Sequence, residues 1–442
     1  MEPFLEFLSQ RLAGLPVDSR RCAVAFSGGV DSTVLLVALS RLKSARAVRA
    51  LHVDHGLNEN SREWEMHCRT IADGLGVEYS SCRIAVENRS GESLEALARE
   101  ARYRALGEML TPRELLLTAH HSDDQLETLL LRLFRGSGVK GLRGIAEFDR
   151  LGEGFIARPL LQISREEIVA MGRAWALKWL EDPMNENLRF DRNFLRANIL
   201  PHVRIRWPSA GKTAERAARQ MSEAQGILDD VAEADGAHIQ DPARVSQSEL
   251  LRLSPSRQRN LLRHLIGRLG LPMPEARQLD ALVASLTVRR TDAKTQVQWP
   301  GGEARIYRGV LYLFHPLGVG SGVQYRGEIS ESMPWLGPEG SLHLVPTQGN
   351  GLPDGWAKEG LSVRFRVGGE RFKPMRHGHS RPLKKWFQDA GVPPWLRGRI
   401  PLLYRDTELV AVADLWISAA AAEAAAAGPQ WEVSWTDHPP LS

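Results

Sequence analysis

Three short stretches in the first third of the chain combine glycine, hydroxyl, carboxylate and imidazole groups. They are Ser27-Gly28-Gly29-Val30-Asp31-Ser32, His52-Val53-Asp54-His55-Gly56-Leu57 and Thr118-Ala119-His120-His121-Ser122-Asp123-Asp124-Gln125-Leu126-Glu127-Thr128. Glycines let a backbone turn tightly against an anion, while carboxylates can hold magnesium or accept protons. Together these residue types predict a site for a phosphate-bearing substrate.

The first stretch lies between a predicted strand and a predicted helix. N–H groups at a helix N-terminus favour negative charge, and the hydroxyls of Ser27 and Ser32 add donors. It is not a Walker A loop, because the Gly-Lys-Ser/Thr ending is absent. Glycine turns before helices also occur without a ligand, so a plain turn is the alternative interpretation.

The other two stretches also leave alternatives open. His52 and His55 could simply cap a strand or a loop. Asp123 and Asp124 could act as capping charges in the first turn of a helix. Two histidines beside two aspartates also suit a metal hydrolase. Capping alone, however, requires neither both histidines nor Glu127, whereas magnesium on ATP phosphates needs one or two carboxylates.

The elements that must position these stretches alternate between strand and helix. The predicted strands are Arg21–Phe26, Val48–Val53, Glu78–Ile84 and Glu114–Ala119. The predicted helices are Thr33–Leu42, Ser61–Leu75, Ser93–Leu110 and Asp124–Phe134. This order predicts an α/β fold with a doubly wound parallel sheet, in which all three stretches meet at the edge formed by the carboxyl ends of the strands.

The rest of the chain has a different pattern. Ile163–Leu286 is mainly helical, and short strands are predicted over Thr295–Phe314, followed by a Gly- and Pro-rich passage over Gly318–Gly355. We therefore predict three domains: a domain with the predicted phosphate site at 1–210, a mainly helical domain at 211–320 and a small basic α/β domain at 355–442. The alanine-rich stretch Ala419–Gly428 indicates no function.

Composition excludes several classes of protein. Of 442 residues, 43% are hydrophobic and 25% charged, as in ordinary soluble globular proteins. The three cysteines form no C-x-x-C pair, which argues against a disulfide framework or a zinc ribbon. No apolar run reaches membrane-spanning length, so we expect a cytoplasmic protein without a membrane partner.

Positive charge is concentrated in two runs. Residues 189–219 carry eight Lys or Arg against two acids, and residues 364–406 carry eleven against three. Each run is either a solvated face or a nucleic-acid contact. In the second run Phe372, Trp386, Phe387 and Trp395 are predicted to pack a core rather than to stack on bases.

A longer series of strings resembles the tRNA(Ile)-lysidine synthase family of the PP-loop ATP pyrophosphatase superfamily. Besides the three stretches, it comprises Glu95 with Ala98-Arg99 and Arg102-Tyr103, Leu131-Arg132-Leu133 through Gly141-Leu142, Arg158-Pro159-Leu160-Leu161, Glu181-Asp182-Pro183 with Asn185, and Arg192-Asn193 with Arg196. Gly368-Gly369-Glu370-Arg371-Phe372, Lys384-Lys385, Ala390 to Trp395 and Arg399 to Leu402 extend the resemblance toward the C-terminus.

The resemblance implies a reaction. ATP would adenylate the C2 oxygen of the wobble cytidine in tRNA(Ile) with a CAU anticodon, and the ε-amine of free L-lysine would then displace AMP to give lysidine. The implied cofactors are ATP and magnesium, and the implied partners are this tRNA and free L-lysine. The sequence sets no oligomeric state and leaves a dimer open.

The resemblance also implies roles for individual residues. Those expected to bind ATP are Ser27, Gly28, Gly29, Val30, Asp31, Ser32, Val53 and Asp54, with Asp31 also holding magnesium. The catalytic set is Asp31, Asp124, Glu127 and His121, in which Asp124 and Glu127 grip the lysine ammonium or accept its proton. The tRNA-binding set is Arg192, Arg196, Arg371, Lys384, Lys385, Arg397 and Arg399. A structural ion pair is the alternative for Asp31, Arg192 and Arg196.

Three rival functions remain: a PP-loop tRNA thiolase, an ATP-dependent amide-forming synthetase, and an RNA-binding scaffold without catalysis. Thiolation usually needs catalytic or cluster-ligating cysteines, and the chain has no C-x-x-C. A synthetase would need a source of ammonia, and no glutaminase-like Cys/His module is evident. A scaffold would need no carboxylate cluster beside a phosphate site.

Overall fold

The computed structural model describes residues 2–17, 19–42, 46–54, 56, 61–85, 94–181, 187–287, 295–317, 327–337, 340–349, 351–375, 377–425 and 428–437. The chain divides into two compact units, Met1–Leu228 and Asp229–Ser442. His55 and Leu57 of the second stretch lie outside the described residues, as do Asp182, Pro183 and Asn185 of the resemblance and the side chain of Glu95.

The first unit alternates helices and strands. The strands are β1 (Arg21–Ala25), β2 (Ala47–Asp54), β3 (Glu78–Arg83), β4 (Leu115–Leu117), β5 (Phe148–Leu151) and β6 (Gly154–Ala157). The helices are α1 (Glu2–Ala13), α2 (Val30–Arg41), α3 (Ser61–Gly74), α4 (Leu94–Met109), α5 (Ser122–Phe134), α6 (Val139–Leu142), α7 (Arg165–Ala174), α8 (Asp191–Phe194), α9 (Leu200–Arg206) and α10 (Ala210–Gly236), with a π-helical segment at Leu195–Ile199.

Within the described residues these strands form one sheet in the order β3-β2-β1-β4-β6-β5. All neighbouring pairs are parallel except β5 with β6. Alternate residues of the central strands enter two different cores, since Val24 packs with the side of α2 whereas Ala23 packs with Leu106 of α4. The predicted doubly wound parallel sheet is confirmed, and the change in winding direction falls between β1 and β4.

The predicted start of the helix after β4 was wrong by two residues. We expected it at Asp124, but α5 begins at Ser122. The reason is a reciprocal cap: the His121 side chain accepts a hydrogen bond from the Asp124 N–H, and the Asp124 carboxylate accepts one from the His121 N–H. This cap fixes the positions of two residues predicted to be catalytic.

The second unit contains shorter elements. Its first part holds β7 (Arg244–Ser246), α11 (Gln247–Leu250), α12 (Pro255–Arg268), α13 (Ala276–Ser285), β8 (Gln296–Trp299), β9 (Gly302–Tyr307) and β10 (Val310–Phe314). Then follow β11 (Gly327–Ile329), β12 (Trp335–Gly337), β13 (Gly340–Thr347), β14 (Leu352–Pro353), α14 (Asp354–Glu359), β15 (Leu361–Phe365), β16 (Arg371–Phe372), β17 (Arg381–Pro382), α15 (Leu383–Asp389), β18 (Pro401–Arg405), β19 (Glu408–Val412), β20 (Trp416–Ile417), α16 (Ala419–Ala424) and β21 (Gln430–Thr436).

Antiparallel sheets organise this unit in the part of the chain that the structure describes. The orders are β7-β10-β9-β8, β11-β15-β18-β19-β20, β12-β13-β21-β14 and β16-β17. The predicted strands around Gly301 are confirmed, and α12 and α13 pack against them in one apolar core. Because β11 and β13 pair with β15 and β21, residues before 355 share sheets with those after it. The division at 1–210, 211–320 and 355–442 remains a proposal.

Candidate active site

The turn after β1 brings the backbone into a conformation that favours glycine. Gly28 has φ +80°, and a Cβ built there would lie 2.8 Å from Cys68 Sγ and 3.0 Å from Trp64 Nε1. A larger residue would therefore meet both backbone strain and a packed wall. Gly29 is the N-cap of α2 and supplies no side-chain hydrogen bond. The first N–H groups of α2 are thus available for an anion.

Neighbouring elements hold the outer side of this turn. The Trp64 indole N–H of α3 donates to the Ser27 carbonyl oxygen at 2.7 Å. The N–H of Leu180, far along the chain, donates to the Gly28 carbonyl oxygen at 2.9 Å. Two consecutive loop carbonyls are therefore fixed from outside, which stabilises one loop conformation before any ligand binds.

The two loop serines hydrogen-bond to each other. Ser27 Oγ lies 3.1 Å from Ser32 Oγ, and the Ser27 N–H donates to Ser32 Oγ at 3.2 Å. Ser32 Oγ in turn donates to the Gly29 carbonyl oxygen at 3.2 Å. The hydroxyls are therefore gathered at the beginning of α2, where an anion would meet them.

Asp31 lies in the first turn of α2 with 31% of its side chain exposed. Its Oδ1 is buried and makes no hydrogen bond among the described residues, although His121 Nε2 lies 3.9 Å away. Burial raises the pKa of this carboxyl, and the neighbouring His121 opposes the rise. A buried carboxylate oxygen without a donor fits a bound cation.

No group of three or more His, Cys, Asp or Glu side chains suited to a metal occurs in the described part of the chain. A nucleotide-bound magnesium takes one or two carboxylates together with phosphate oxygens and waters. The role of Asp31 as a magnesium ligand remains a prediction.

The end of β2 lies beside the turn because β1 and β2 are parallel neighbours. His52 is buried, and its Nδ1 is 2.9 Å from the Phe26 carbonyl oxygen, so that nitrogen donates. Asp54 Oδ1 accepts a hydrogen bond from the Gly56 N–H at 2.8 Å, and its Oδ2 lies 3.4 Å from Arg83 Nε. The predicted adenosine contacts of Val53 and Asp54 remain predictions.

The acids of α5 form a buried ion-pair network with arginines from a later segment. Glu127 is 1% exposed, and its carboxylate oxygens lie 2.7 Å from Arg192 Nε and 2.5 Å from Arg196 Nε. Asp124 Oδ1 lies 3.0 Å from Arg196 Nη2. The structure therefore joins two predicted catalytic acids directly to two predicted RNA-binding arginines.

Electrostatics in this network favour the charged forms of its members. Burial acts to raise the pKa of Asp124, but His121, His120, Arg192 and Arg196 together hold it well below its ordinary value. Burial likewise acts to lower the pKa of Arg196, yet Glu127 and Asp124 raise it overall. Asp124 and Arg196 therefore stay ionised at neutral pH.

Some members of the network were missed by the sequence analysis. Asp123 accepts hydrogen bonds from the Arg165 N–H at 2.8 Å and from Arg204 Nη2 at 2.7 Å. Arg204 lies inside the basic run 189–219, which indicates that an acidic or anionic group lies nearby.

Trp64, which contacts the glycine turn, was also missed. No sequence signal indicated its contact, because its acceptor is 37 residues earlier in the chain.

The predicted RNA-binding residues near the C-terminus divide by burial. Arg371, Lys384 and Lys385 are exposed, and Arg399 is half-buried. Arg397 is only 6% exposed, and its guanidinium donates to the Val392 carbonyl oxygen at 2.9 Å and to the Tyr307 hydroxyl at 3.0 Å. Packing and two protein acceptors occupy this side chain, which disfavours the predicted contact of Arg397 with tRNA.

The aromatic residues of the same region were predicted to pack a core, and this is confirmed. Phe372, Trp386 and Phe387 are buried in the apolar core of the second unit. Trp395 packs against the rings of Tyr312 and Phe314, with centroids 5.4 and 6.3 Å away. None of the described helices is long and apolar enough to cross a membrane.

Comparison with known proteins identifies the family of this chain. A model described as "PP-loop domain" matches residues 4–203, "TilS substrate binding domain" matches 246–312, and "TilS substrate C-terminal domain" matches 361–435. The tRNA(Ile)-lysidine synthase of Alkalilimnicola ehrlichii is 42% identical over 416 residues, covering 93% of each chain. Those of Coxiella burnetii and Methylococcus capsulatus are 37% and 39% identical, covering 93% and 88% of this chain and 91% and 90% of theirs. This chain belongs to the tRNA(Ile)-lysidine synthase family.

Proposed function

We propose that this protein ligates L-lysine to C2 of the wobble cytidine of tRNA(Ile) with a CAU anticodon. The reaction passes through an adenylated tRNA and releases AMP and pyrophosphate. The observation that carries the proposal is the juxtaposition, at one sheet edge, of a glycine turn at a helix N-terminus with the carboxylates of Asp31, Asp124 and Glu127. Family membership supplies the identity of the nucleophile and of the RNA.

The loop at the beginning of α2 is proposed to bind the β,γ-pyrophosphate of ATP. Ser27 and Ser32 offer hydroxyls there, and the first N–H groups of the helix offer the positive end of its dipole. Asp31 would hold magnesium through its unpartnered Oδ1. When bound, magnesium supplies positive charge that offsets the charge of the phosphates.

Adenylation and lysine transfer are proposed as two balanced displacements. In the first, the C2 oxygen of cytidine forms a bond to the α-phosphorus of ATP as the bond to pyrophosphate breaks. In the second, the ε-nitrogen of lysine bonds to C2, the C2–O bond to AMP breaks, and the nitrogen loses a proton. Adenylation is required because it turns a poor leaving oxygen into a good one.

The lysine ε-amine must lose a proton before it can attack. With a pKa of about 10.4 it is protonated at neutral pH, which costs roughly 4–5 kcal/mol unless the site reduces that cost. Asp124 and Glu127 are proposed to grip the ammonium or accept its proton, with His121 beside Asp124. Their pairing with Arg196 means that they meet the ammonium as partly neutralised carboxylates and bind it less tightly. The lowered pKa of Asp124 also makes this residue a weak proton acceptor.

The exposed basic residues of the second unit are proposed to bind tRNA phosphates. These are Arg371, Lys384 and Lys385, together with the half-buried Arg399. Arg192 and Arg196 are proposed to act first as partners of the buried acids and to offer their remaining exposed N–H groups to AMP or to anticodon-loop phosphates. We further propose that the protein works in the cytoplasm, either as a monomer or as a dimer.

The thiolase alternative is disfavoured by the state of the cysteines. Cys22 and Cys68 are buried, and burial raises the pKa of their thiols to about 11 and about 12. Thiols of this kind are poor nucleophiles, because the thiolate is the reactive form. Catalytic thiol chemistry would need a more acidic and more accessible cysteine.

The test is incorporation of radiolabelled lysine into an isoleucine tRNA transcript with a CAU anticodon, in the presence of ATP and magnesium. Controls omit ATP or change the wobble cytidine to uridine. We expect labelling that depends on both. Absence of label while tRNA still stimulates cleavage of ATP to AMP and pyrophosphate would overturn lysine as the nucleophile, and absence of ATP cleavage would favour a non-catalytic RNA-binding protein.

A further inference from the structure

Three arginines surround one tyrosine beside the site described above. The guanidinium carbons of Arg99 and Arg102, both on α4, lie 5.1 and 5.5 Å from the centroid of the Tyr103 ring. Arg99 Nη2 lies 3.5 Å from the Tyr103 hydroxyl. Arg158, the residue after β6, completes the group: it acts to lower the pKa of Tyr103, and its Nη1 donates to the Ala146 carbonyl oxygen at 2.7 Å. We call these four residues the arginine cluster.

Among the described residues, the arginine cluster has no carboxylate partner of the kind that other partly buried arginines have. Arg49 pairs with Glu114, and Arg196 pairs with Glu127, in each case within 2.7 Å. In the part of the chain that the structure describes, no ion pair to a carboxylate is found for Arg99, Arg102 or Arg158. The Nε atoms of Arg102 and Arg158 are buried without a hydrogen-bond partner among the same residues.

The arginines of the cluster act on the pKa values of its members. Burial, followed by Arg102, Arg192 and Arg158, lowers the pKa of Arg99 despite the opposing effect of Tyr103. Burial acts to raise the pKa of Tyr103, but the arginines lower it overall. Gathering cations out of water without a counter-charge costs free energy, so the arrangement is most stable when an anion is present.

The position of the cluster relates it to the substrates. Arg158 follows β6, which runs parallel to β4, so it lies at the sheet edge where the acid-rich stretch begins. His120 links the two groups, because Asp124 acts to raise its pKa whereas burial and the three arginines hold the pKa well below its ordinary value. The cluster therefore adjoins the acids proposed to receive the lysine ammonium.

We propose that Arg99, Arg102 and Arg158 form an oxyanion site that binds one substrate group, either the carboxylate of the amino acid or a phosphodiester of the RNA. The planar fork of a guanidinium matches both groups, and each offers the negative charge that the described residues do not supply to the cluster. This inference rests on the proposed function for the identity of the two substrates. It assigns a ligand to residues to which the ATP chemistry gives no task.

The test compares Arg102→Gln and Arg99→Gln with Arg104→Gln. Arg104 lies on the same helix but is exposed and pairs with Glu100 at 3.7 Å, so this variant controls for the loss of one positive charge. The KM for lysine and for cadaverine, the same diamine without a carboxylate, is measured at saturating tRNA. The Kd for tRNA is measured by filter binding at several salt concentrations.

Each source of the oxyanion has its own result. If it is the lysine carboxylate, Arg102→Gln raises the KM for lysine about 10-fold to 100-fold and leaves cadaverine and tRNA binding unchanged. If it is a phosphodiester, the Kd for tRNA rises by a similar factor, the salt slope falls by about one, and the KM for lysine stays the same. Arg104→Gln should change neither quantity by more than about twofold.

A purely structural role would overturn the proposal. Its sign is that both glutamine variants keep the wild-type KM for lysine and the wild-type Kd for tRNA. If Arg102→Gln unfolds, Arg99→Gln and Arg102→Lys supply the same measurements. The tRNA-binding arm needs no turnover, so a wild-type protein that fails to incorporate lysine defeats the proposed function while the phosphodiester arm can still be decided.

Discussion

The edge of the parallel sheet and the basic face of the second unit, by which we mean the exposed Arg371, Lys384 and Lys385, hold their charges in different ways. At the sheet edge Glu127 and Asp124 are buried and contact arginines at 2.5–3.0 Å. On the basic face Lys384 and Lys385 extend from α15 into solvent, while aromatic neighbours such as Phe387 fill the core beneath. The sheet edge holds each charged group in a defined position, whereas the basic face exposes its charged groups to solvent.

This difference corresponds to two kinds of work. Chemistry on one atom of one base requires donors and acceptors held in place before the substrate arrives. Holding a large polyanion requires only a field that neutralises phosphates, and such contacts weaken as salt rises. We therefore expect substitutions at the sheet edge to reduce turnover or stability, and substitutions on the basic face to change salt-dependent affinity.

The largest expected effect is that of Asp31→Asn. Removing the charge of the proposed magnesium ligand should lower tRNA-dependent release of pyrophosphate by roughly 100-fold or more, since a metal contributes several kcal/mol of charge stabilisation. Asp73→Asn, an exposed change on α3, is the matched control. Full pyrophosphate release by Asp31→Asn would remove this residue from the magnesium role.

The same Asp31→Asn variant should be more stable than the wild type at neutral pH. Burial raises the pKa of Asp31, so the folded state binds the proton more tightly than the unfolded state. The cost of the buried charge is absent below the unfolded pKa and grows as pH rises through the folded pKa. A gain on the order of 1 kcal/mol would raise Tm by roughly 2–4 °C at pH 7 and should vanish toward about pH 4. An unchanged Tm would mean that the charge is already compensated.

The next effect concerns Glu127→Gln, which leaves Arg192 and Arg196 facing a neutral amide. Breaking a buried pair should lower the free energy of unfolding by about 3–5 kcal/mol, measured by denaturant titration. Glu100→Gln removes an exposed carboxylate and should cost less than about 1 kcal/mol. Combining Glu127→Gln with Arg192→Gln should recover part of the loss, because the acid and this arginine then disappear together.

The alternative for Glu127 has a distinct result. If Glu127→Gln unfolds like the wild type yet loses lysine transfer, the carboxylate serves the substrate rather than the arginines. That outcome would contradict the comparison between the sheet edge and the basic face, since the ion pairs of Glu127 would then contribute little to the stability of the protein. Measuring both quantities on the same protein preparation decides between the two.

On the basic face the expected effects are smaller and depend on salt. Replacing Lys384 and Lys385 together by glutamine should reduce the slope of log affinity against log salt for tRNA by about 1.4–1.8, with Tm unchanged. Arg397→Gln should instead leave the salt slope unchanged and lower Tm, because the Tyr307 hydroxyl loses its donor. Lys358→Gln, at an exposed lysine outside the basic run, is the control for charge. A salt slope that fell equally in all three variants would show that net charge alone matters.

Sequence alone predicted the sheet well because its signals are local. A buried strand such as Leu115–Leu117 and the glycine turn at Gly28 can each be recognised from a few consecutive residues. The rule that parallel strands end at one edge then placed three stretches together without knowledge of any contact. The structure brings Asp31 of the first stretch to 3.9 Å from His121 of the third, while the roles of these residues remain predictions.

Partnerships across long separations could not be predicted. Glu127 and Arg196 are 69 residues apart, and a π-helical segment determines where that arginine points. Arg397 looks like any other member of a basic run until packing against Tyr307 removes it from solvent. In both cases the sequence shows the chemical type of the side chain. What that side chain can bind depends on its burial, and burial is set by tertiary structure.

The smallest effect tests a residue that the sequence did not indicate. Trp64→Phe keeps most of the ring beside Gly28 but removes the N–H that donates to the Ser27 carbonyl oxygen. One lost hydrogen bond of about 0.5–1.5 kcal/mol should raise the KM for ATP by roughly 2-fold to 10-fold. Trp207→Phe, at an exposed site of the same unit, should leave this KM unchanged.

The reason to expect a change in KM rather than in kcat is that Trp64 contacts the loop backbone and neither the hydroxyls nor Asp31. A loosened loop must be ordered by ATP itself, which weakens binding without altering groups that face the reacting atoms. A fall in Tm with an unchanged KM for ATP would instead assign Trp64 to packing alone. Loss of kcat at unchanged KM would mean that the loop conformation matters only once the transition state forms. The hydrogen bond from Trp64 would then belong with the groups of the sheet edge that are held in place for the chemistry.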